Sequence, residues 1–294
     1  MKRIGIDLGG TKIEGVVLDP EGSAIFKKRV STERHEGYDA ILARVRSLYD
    51  DLLVSAGPGP STVGIGTPGA ISPRTQLMKN SNTTCLNGRR LAEDLTRLIG
   101  RPIRVENDAN CFALAEGLRG AGKGHRMVFG VIMGTGCGGG LMMDGQVWTG
   151  PQRIGGEWGH MSIDPSGPDC YCGSRGCVET YISGGGLENR FQAKTGERLS
   201  ATQIVDYWRQ GNLAAAEQME EFFDRFGRSV ANLIAVLDPD AIVLGGGLSA
   251  IPELYTTGRT MAQKYVFSDS LDTPIVSNAL GDSAGVLGAA LIGV

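Results

Sequence analysis

Residues 157–179 read EWGHMSIDPSGPDCYCGSRGCVE and hold His160, Cys170, Cys172 and Cys177, three of the six cysteines and one of the three histidines. Three thiolates and an imidazole are the ligand set of a closed tetrahedral zinc site with no position left for water. Gly173 and Gly176 let the chain wrap around an ion. The same residue types serve other chemistries. A redox site calls for CxxC beside a thioredoxin-like βαβ unit, and a catalytic zinc keeps one ligand place open. Four reduced side chains with no metal are the plainest alternative. Glu157 and Glu179 flank the cluster, so whatever fixes the ligands also fixes these two carboxylates.

A second chemistry gathers in two glycine turns. Asp7, Gly9, Gly10, Thr11 and Lys12 put a carboxylate at a strand end with bare backbone, a hydroxyl and an ammonium just beyond. Backbone N–H groups in such a turn cradle phosphate, and Asp7 can hold Mg²⁺ directly or through water. The turn at Gly134, Thr135, Gly136, Cys137 and Gly138 repeats the backbone chemistry, with Ile132 in the place of Asp7. LGGG at 244–247 is a third strand-end turn suited to a nucleotide. Neither a Walker A pattern nor GxGxxG with its downstream acid is present.

The acid that can act on a substrate stands in ENDAN, 106–110, between a strand and a helix. Asn107 or Asp108 serves there either as a helix cap or, for Asp108, as the base that takes a proton from a substrate hydroxyl. Sequence leaves both open. Cys137 reads as a small filler, since no histidine is near it in sequence, and packing is the simplest role for Trp148 and Trp158.

The elements that must position these residues follow an α/β pattern. GIDLGGTKIEGVVLD, 5–19, lies without gaps on GVIMGTGCGGGLMMD, 130–144. Each copy is a strand, a Gly/Thr turn and a second strand, so two similar domains are expected rather than a solenoid. YDAILARVRSLYDDLLVSAG carries Ile41, Leu42, Val45, Leu48, Leu52 and Leu53 at helical spacing. RPIRV is a strand leading to ENDAN and a helix from about Ala109; 201–236 is mostly helical; DAIVLGGGLS is a strand ending in glycines. The expected division is 1–118 for an N-terminal α/β domain and 119–281 for a C-terminal one carrying the loop 157–179. A last helix over about 282–294 returns to the first domain.

The 294 residues, 29 basic and 32 acidic for a net charge of −3, exclude a strongly basic nucleic-acid or membrane-surface binder. No signal-peptide pattern opens the chain, and no window approaches the roughly 18 apolar residues of a membrane span. Scattered cysteines outside the cluster argue against a disulfide framework, so the reducing cytoplasm is the expected compartment.

DLGGTK, ENDAN, GTGCGGG, EWGH, CYCGSRGCVE and LGGG, in that order from about residue 4 to 292, resemble the ROK family of sugar kinases and repressors. The resemblance implies a duplicated actin-like, ribonuclease H-like α/β fold with two domains flanking a cleft. It implies ATP phosphates at Asp7, Gly9, Gly10, Thr11 and Lys12 and at Gly134 to Gly138, with Gly245, Gly246 and Gly247 near the adenosine. Asp108 matches the catalytic base. Asn107, Asp108, Glu157, His160 and Glu179 match sugar-binding positions, with Gly66, Pro68 and Gly69 in a loop over the sugar. His160, Cys170, Cys172 and Cys177 match structural zinc ligands.

Within the family, LMKNSNTTCLNG at 77–88 and VFGVIMGTGCG look most similar to the bacterial fructokinase and mannokinase branch. The expectation is therefore an ATP- and Mg²⁺-dependent hexose 6-phosphotransferase acting on fructose, with mannose as a second substrate, in a homodimer. The alternatives are an N-acetylglucosamine kinase or glucokinase of the same family, or a sugar-responsive transcriptional regulator. The regulator needs a helix-turn-helix, for which a first strand starting by Ile4 leaves no room.

Overall fold

The apolar run at the start becomes strand β1 (Lys2–Leu8), and the Gly/Thr turn folds the next run back as β2 (Lys12–Leu18). The two pair antiparallel with Asp7 opposite Glu14 and Leu8 opposite Ile13. These observations come from a computed structural model, which describes residues 1–293. β3 (Ala24–Ser31) follows, then α1 (Tyr38–Ala56), β4 (Ser61–Thr67) and the short hairpin of β5 (Ala70–Ile71) and β6 (Met78–Lys79). α2 (Leu91–Ile99), β7 (Arg104–Asn107) and α3 (Asp108–Arg119) complete this half. Of the positions expected on the inner face of α1, Ile41, Val45, Leu48 and Leu52 are buried, whereas Leu53 is exposed. It falls one residue past the stripe.

The rest of the chain runs β8 (Met127–Met133), β9 (Cys137–Met143), β10 (Gln146–Val147), α4 (Glu179–Ile182), α5 (Gly184–Thr195) and α6 (Ala201–Arg209). α7 (Leu213–Leu237), β11 (Ala241–Gly245), α8 (Thr257–Tyr265), β12 (Ile275–Ser277) and α9 (Ala284–Ile292) follow. The last helix was expected over about 282–294; residue 294 lies outside the described residues.

One five-stranded sheet has the order β3-β2-β1-β4-β7 and the other β10-β9-β8-β11-β12. In each, the middle strand has a parallel neighbour on one side, β1 with β4 and β8 with β11, and a further parallel strand beyond it. The internal repeat therefore lands on equivalent strands, β1–β2 and β8–β9, and the duplicated α/β fold expected from sequence is what the chain adopts. The chain divides into two compact units. One is Met1–Arg119, Gly140–Gly155 and the segment from Leu280 onward; the other is Gly120–Gly139 and Gly156–Ala279. Residues 140–155 thus group with the first unit, and β9 passes from one unit into the other partway along its length.

In the first unit α9 lies against the sheet where the strands carry no side chain. A methyl group on Gly64 of β4 would collide with the Ala289 carbonyl, and one on Gly5 of β1 would come 2.5 Å from the Ala290 amide. Gly288, on α9 itself, meets the Cys111 carbonyl of α3 in the same way. Bare backbone on both surfaces permits this close packing. Val286 and Ala290 share a buried cluster with Val16 and Leu18 of β2. No helix among the described residues is long and apolar enough to cross a membrane.

Candidate active site

In the first unit, Asp7 lies at the carboxyl end of β1, and ENDAN lies where β7 meets α3. The backbone resolves what sequence left open. Asn107 Oδ1 accepts the Ala109 N–H at 2.9 Å and the Asn110 N–H at 3.2 Å, so Asn107 is the cap of α3. Asp108 becomes the first residue of the helix, its Oδ1 accepting the Ala109 N–H at 2.9 Å. Asn107 Nδ2 donates to the Gly69 carbonyl at 3.2 Å, which ties the 66–69 loop to the cap. Gly66 lies beside Asp7; a methyl group there would be 3.6 Å from Asp7 Oδ1. Asp7, Gly66, Pro68, Gly69, Asn107 and Asp108 therefore belong to one neighbourhood of one unit.

Burial pushes the Asp7 carboxyl up to about 7, helped by the charges of Asp108 and Glu14 and opposed by Lys12 and Arg29. A cation beside Asp7 would relieve the charge that Asp108 sets against it. Glu14 itself is buried and paired with Arg29 at 2.5 Å. The turn after β1 is held by Gly9 N–H to Lys12 O at 3.0 Å, Thr32 N–H to Thr11 O at 3.0 Å and the Thr32 hydroxyl to Gly9 O at 2.7 Å. The buried Thr83 hydroxyl, which lies by Gly10, has no hydrogen-bond partner among the described residues.

Two residues of ENDAN that sequence reasoning passed over hold the cap in place. Glu106 Oε1 accepts from the Asn107 N–H at 2.9 Å and from Asn110 Nδ2 at 3.0 Å, and Asn110 Oδ1 accepts the Leu141 N–H at 3.3 Å. The other Glu106 oxygen is 3.5 Å from Arg153, in the wall of a cavity of about 920 Å³ that also includes Arg104, Gln146 and Thr149. Cys111 on the same helix is fully buried, and that burial raises its thiol well above the ordinary range.

The second unit carries the other turn. Gly134 N–H donates to Gly136 O at 2.9 Å, and the first N–H groups of α5, Gly184 and Gly185, donate to Gly134 O at 2.7 Å and Thr135 O at 3.1 Å. Glu179, which opens α4, accepts the Cys137 N–H at 2.8 Å. Gly136 leaves room for that carboxylate; a methyl group there would sit 2.5 Å from Glu179 Oε2. Glu179 is thus joined to the turn at 134–138, a link its position in sequence did not disclose. Gly246, with φ of +80°, packs on the Met133 backbone, so Gly245 to Gly247 end β11 beside the end of β8. Burial, with Glu179 adding to it, raises the Cys137 thiol, which suits a filler and not a nucleophile. Trp158 is buried, its Nε1–H donating to Gly138 O at 3.2 Å, while Trp148 is half exposed.

His160, Cys170, Cys172 and Cys177 come together with ligand atoms all within 4.8 Å of one another. Cys170 Sγ is 3.6 Å from His160 Nδ1, and Cys172 Sγ is 3.6 Å from Cys177 Sγ. A tetrahedral ion with ligand bonds of about 2.0–2.3 Å spaces its ligands by about 3.5–3.8 Å. The residues fit such an ion, and the sulfur spacing is far too long for a disulfide. Hydrogen bonding from Ser174 and the neighbouring thiols outweighs desolvation and lowers Cys172 to about 7, while burial raises Cys170 and Cys177. Tyr171 is placed where sequence did not anticipate it, with its hydroxyl 3.0 Å from His160 Nε2. Desolvation of that end of the side chain, then the charges of Glu179, Cys170 and Glu157, raise its phenol.

A protein-family model described as the ROK family matches residues 3–293. The chain is similar to an N-acetylgalactosamine kinase of Shewanella sp. (strain ANA-3), 36% identical over 298 residues that cover 98% of this chain and 96% of that protein. It is similar to an N-acetyl-D-glucosamine kinase of Pasteurella multocida (strain Pm70), 37% identical over 304 residues and covering 99% and 98% of the two chains. Among solved structures, a ROK family glucokinase from Streptomyces griseus in complex with glucose and AMPPNP superposes with a TM-score of 0.81 at 29% identity, over 100% of this chain and 99% of that one.

Proposed function

The chain belongs to the ROK family, and on that footing we propose that it is an ATP-dependent sugar kinase that phosphorylates the 6-hydroxyl of an N-acetylated aminohexose, N-acetylglucosamine first. The observation that carries the reaction type is the pair Asp7 and Asp108. Asp7, near the end of β1, lies in the field of Asp108, the first residue of α3, beside the glycine turn at 9–12. Fructose, the substrate expected from 77–88 and 128–138, gives way. Relatives similar over nearly the whole chain are kinases of N-acetylglucosamine and N-acetylgalactosamine.

In this reading Asp108 takes the proton of the 6-hydroxyl as that oxygen attacks the γ-phosphorus in line, and Asn107, held by Glu106, keeps Asp108 at the head of α3. Asp7 would hold the nucleotide's Mg²⁺, and that ion would supply charge neutralisation at the phosphates. The turns 9–12 and 134–138, each within its own unit, are the proposed phosphate-binding turns, through backbone N–H groups other than those of Gly9, Gly134 and Cys137, which bonds within each unit occupy. Gly245, Gly246 and Gly247 are the proposed neighbours of the adenosine. Glu157, His160 and Glu179 bind sugar hydroxyls, and Gly66, Pro68 and Gly69 belong to the sugar loop. His160 through Nδ1, with Cys170, Cys172 and Cys177, would hold a structural zinc, which would stiffen the segment between Glu157 and Glu179.

The test is a coupled ADP-release assay over N-acetylglucosamine, N-acetylgalactosamine, N-acetylmannosamine, glucose and fructose. N-acetylglucosamine should give the highest kcat/KM, and Asp108→Asn should lower kcat with it by a factor of about 10² or more while sugar binding persists. A wild-type preference for fructose would return the reading to the fructokinase branch. Undiminished turnover in Asp108→Asn would remove Asp108 as the base.

A further inference from the structure

Tyr171 stands between Cys170 and Cys172 in sequence, yet its side chain is directed at the imidazole. Its ring meets that of His160 edge to face, centroids 5.1 Å apart at 87°. The imidazole is thus engaged on both sides, Nδ1 by Cys170 Sγ at 3.6 Å and Nε2 by the Tyr171 hydroxyl at 3.0 Å. Nε2 is the nitrogen that the proposed sugar site needs. With Nδ1 given to the zinc of the proposed site, Nε2 carries the ring's one N–H, which serves one acceptor at a time. The phenol oxygen and a sugar oxygen therefore compete for it.

Tyr171 is 71% exposed, so the ring is held chiefly through this contact and is not locked into a core. A single neutral hydrogen bond adds only about 0.5–1.5 kcal/mol of net stability, which makes the contact replaceable. We propose that Tyr171 is a gate of the sugar site, its hydroxyl standing in for a sugar hydroxyl on His160 Nε2 until an N-acetylhexosamine displaces it. The inference rests on the sugar-kinase reading and deepens it: Tyr171 sets affinity for the sugar, while zinc, on the Nδ1 side of the same ring, is left in place.

The sign of one substitution tests this. In Tyr171→Phe the ring stays and the competing oxygen goes, so calorimetric titration with N-acetylglucosamine in the absence of nucleotide should give a Kd about 2- to 10-fold lower than wild type. KM for the sugar should fall in parallel, KM for ATP should not, and metal analysis should find the same zinc content. An unchanged Kd would make Tyr171 a strut of the loop, and a raised Kd would make it a permanent sugar ligand; either overturns the gate. If the variant loses zinc or does not fold, NMR of wild-type protein with ring-labelled tyrosine decides. Saturating sugar should move the Tyr171 resonances to those of a solvated side chain, and unmoved resonances overturn the proposal. Wild-type protein that binds no sugar at all would sink the kinase reading itself, an outcome distinct from a gate that fails in a sugar-binding protein.

Discussion

Asp7 carries a folded-state cost that ties its chemistry to pH. Its carboxyl is raised from 3.8 to about 7 by burial first and by Asp108 and Glu14 next. The folded state therefore holds the proton more tightly than the unfolded chain. The associated stability is full below about pH 4 and is lost as pH rises through about 7. Asp7→Asn removes this titration. Thermal melts of ligand-free protein should show the variant gaining on wild type between pH 5 and 7.5, and the gap should level off above that. Mg²⁺ with a non-hydrolysable ATP analogue should narrow the gap, because in wild type the cation takes the place of the proton. Parallel pH profiles for the two proteins would refute a raised Asp7. The residue types of this neighbourhood were legible in sequence, but their division of labour was not. ENDAN offers two candidate caps, and only the hydrogen bonds of Asn107 to the Ala109 and Asn110 N–H groups decide between them.

At the scale of elements, the glycine turn at 134–138 and the short helix α4 act as one piece because Glu179 accepts the Cys137 N–H. Gly136→Ala separates them. The backbone there has no positive φ, so alanine brings no conformational strain, but its methyl group meets Glu179 Oε2 and the carboxylate must move. Losing one charge-assisted hydrogen bond and the aim of the carboxylate should raise KM for N-acetylglucosamine about 10-fold with little change in melting temperature. A melting temperature that falls sharply while KM holds would mean that the contact serves packing instead. The strand-turn-strand repeat, the inner stripe of α1 and the cysteine cluster could all be read from period and spacing, which are local properties of the chain. The bond from Glu179 to the turn and the reach of Tyr171 to His160 could not, since each depends on how a loop returns.

For the whole molecule, the first unit is assembled from three stretches of chain and the second from two, so neither is a contiguous segment. The first unit is completed only when the last stretch comes back. Leu280 N–H donates at 2.9 Å to Glu116, a fully buried carboxylate, and α9 then fills the bare faces over Gly5 and Gly64. Val286, Ala289 and Ala290 are all buried there. Sequence placed a small-residue helix at this end; that its smallness answers glycines in β1 and β4 is a matter of three-dimensional packing. A chain ending at Ala279 would expose those faces and take one donor from a buried charge, which is among the costlier losses a core can suffer. Hydrogen exchange on that truncated chain should show protection lost through β1, β4 and α3, while β11 and α7 in the second unit stay protected. Gly64→Ala in the full-length chain should reproduce the effect in weaker form, lowering the melting temperature by forcing the Ala289 carbonyl away. Retained protection in β1 and β4 after truncation would show that the first unit stands without its final helix, and the close approach of α9 to the glycines would then contribute little to its stability.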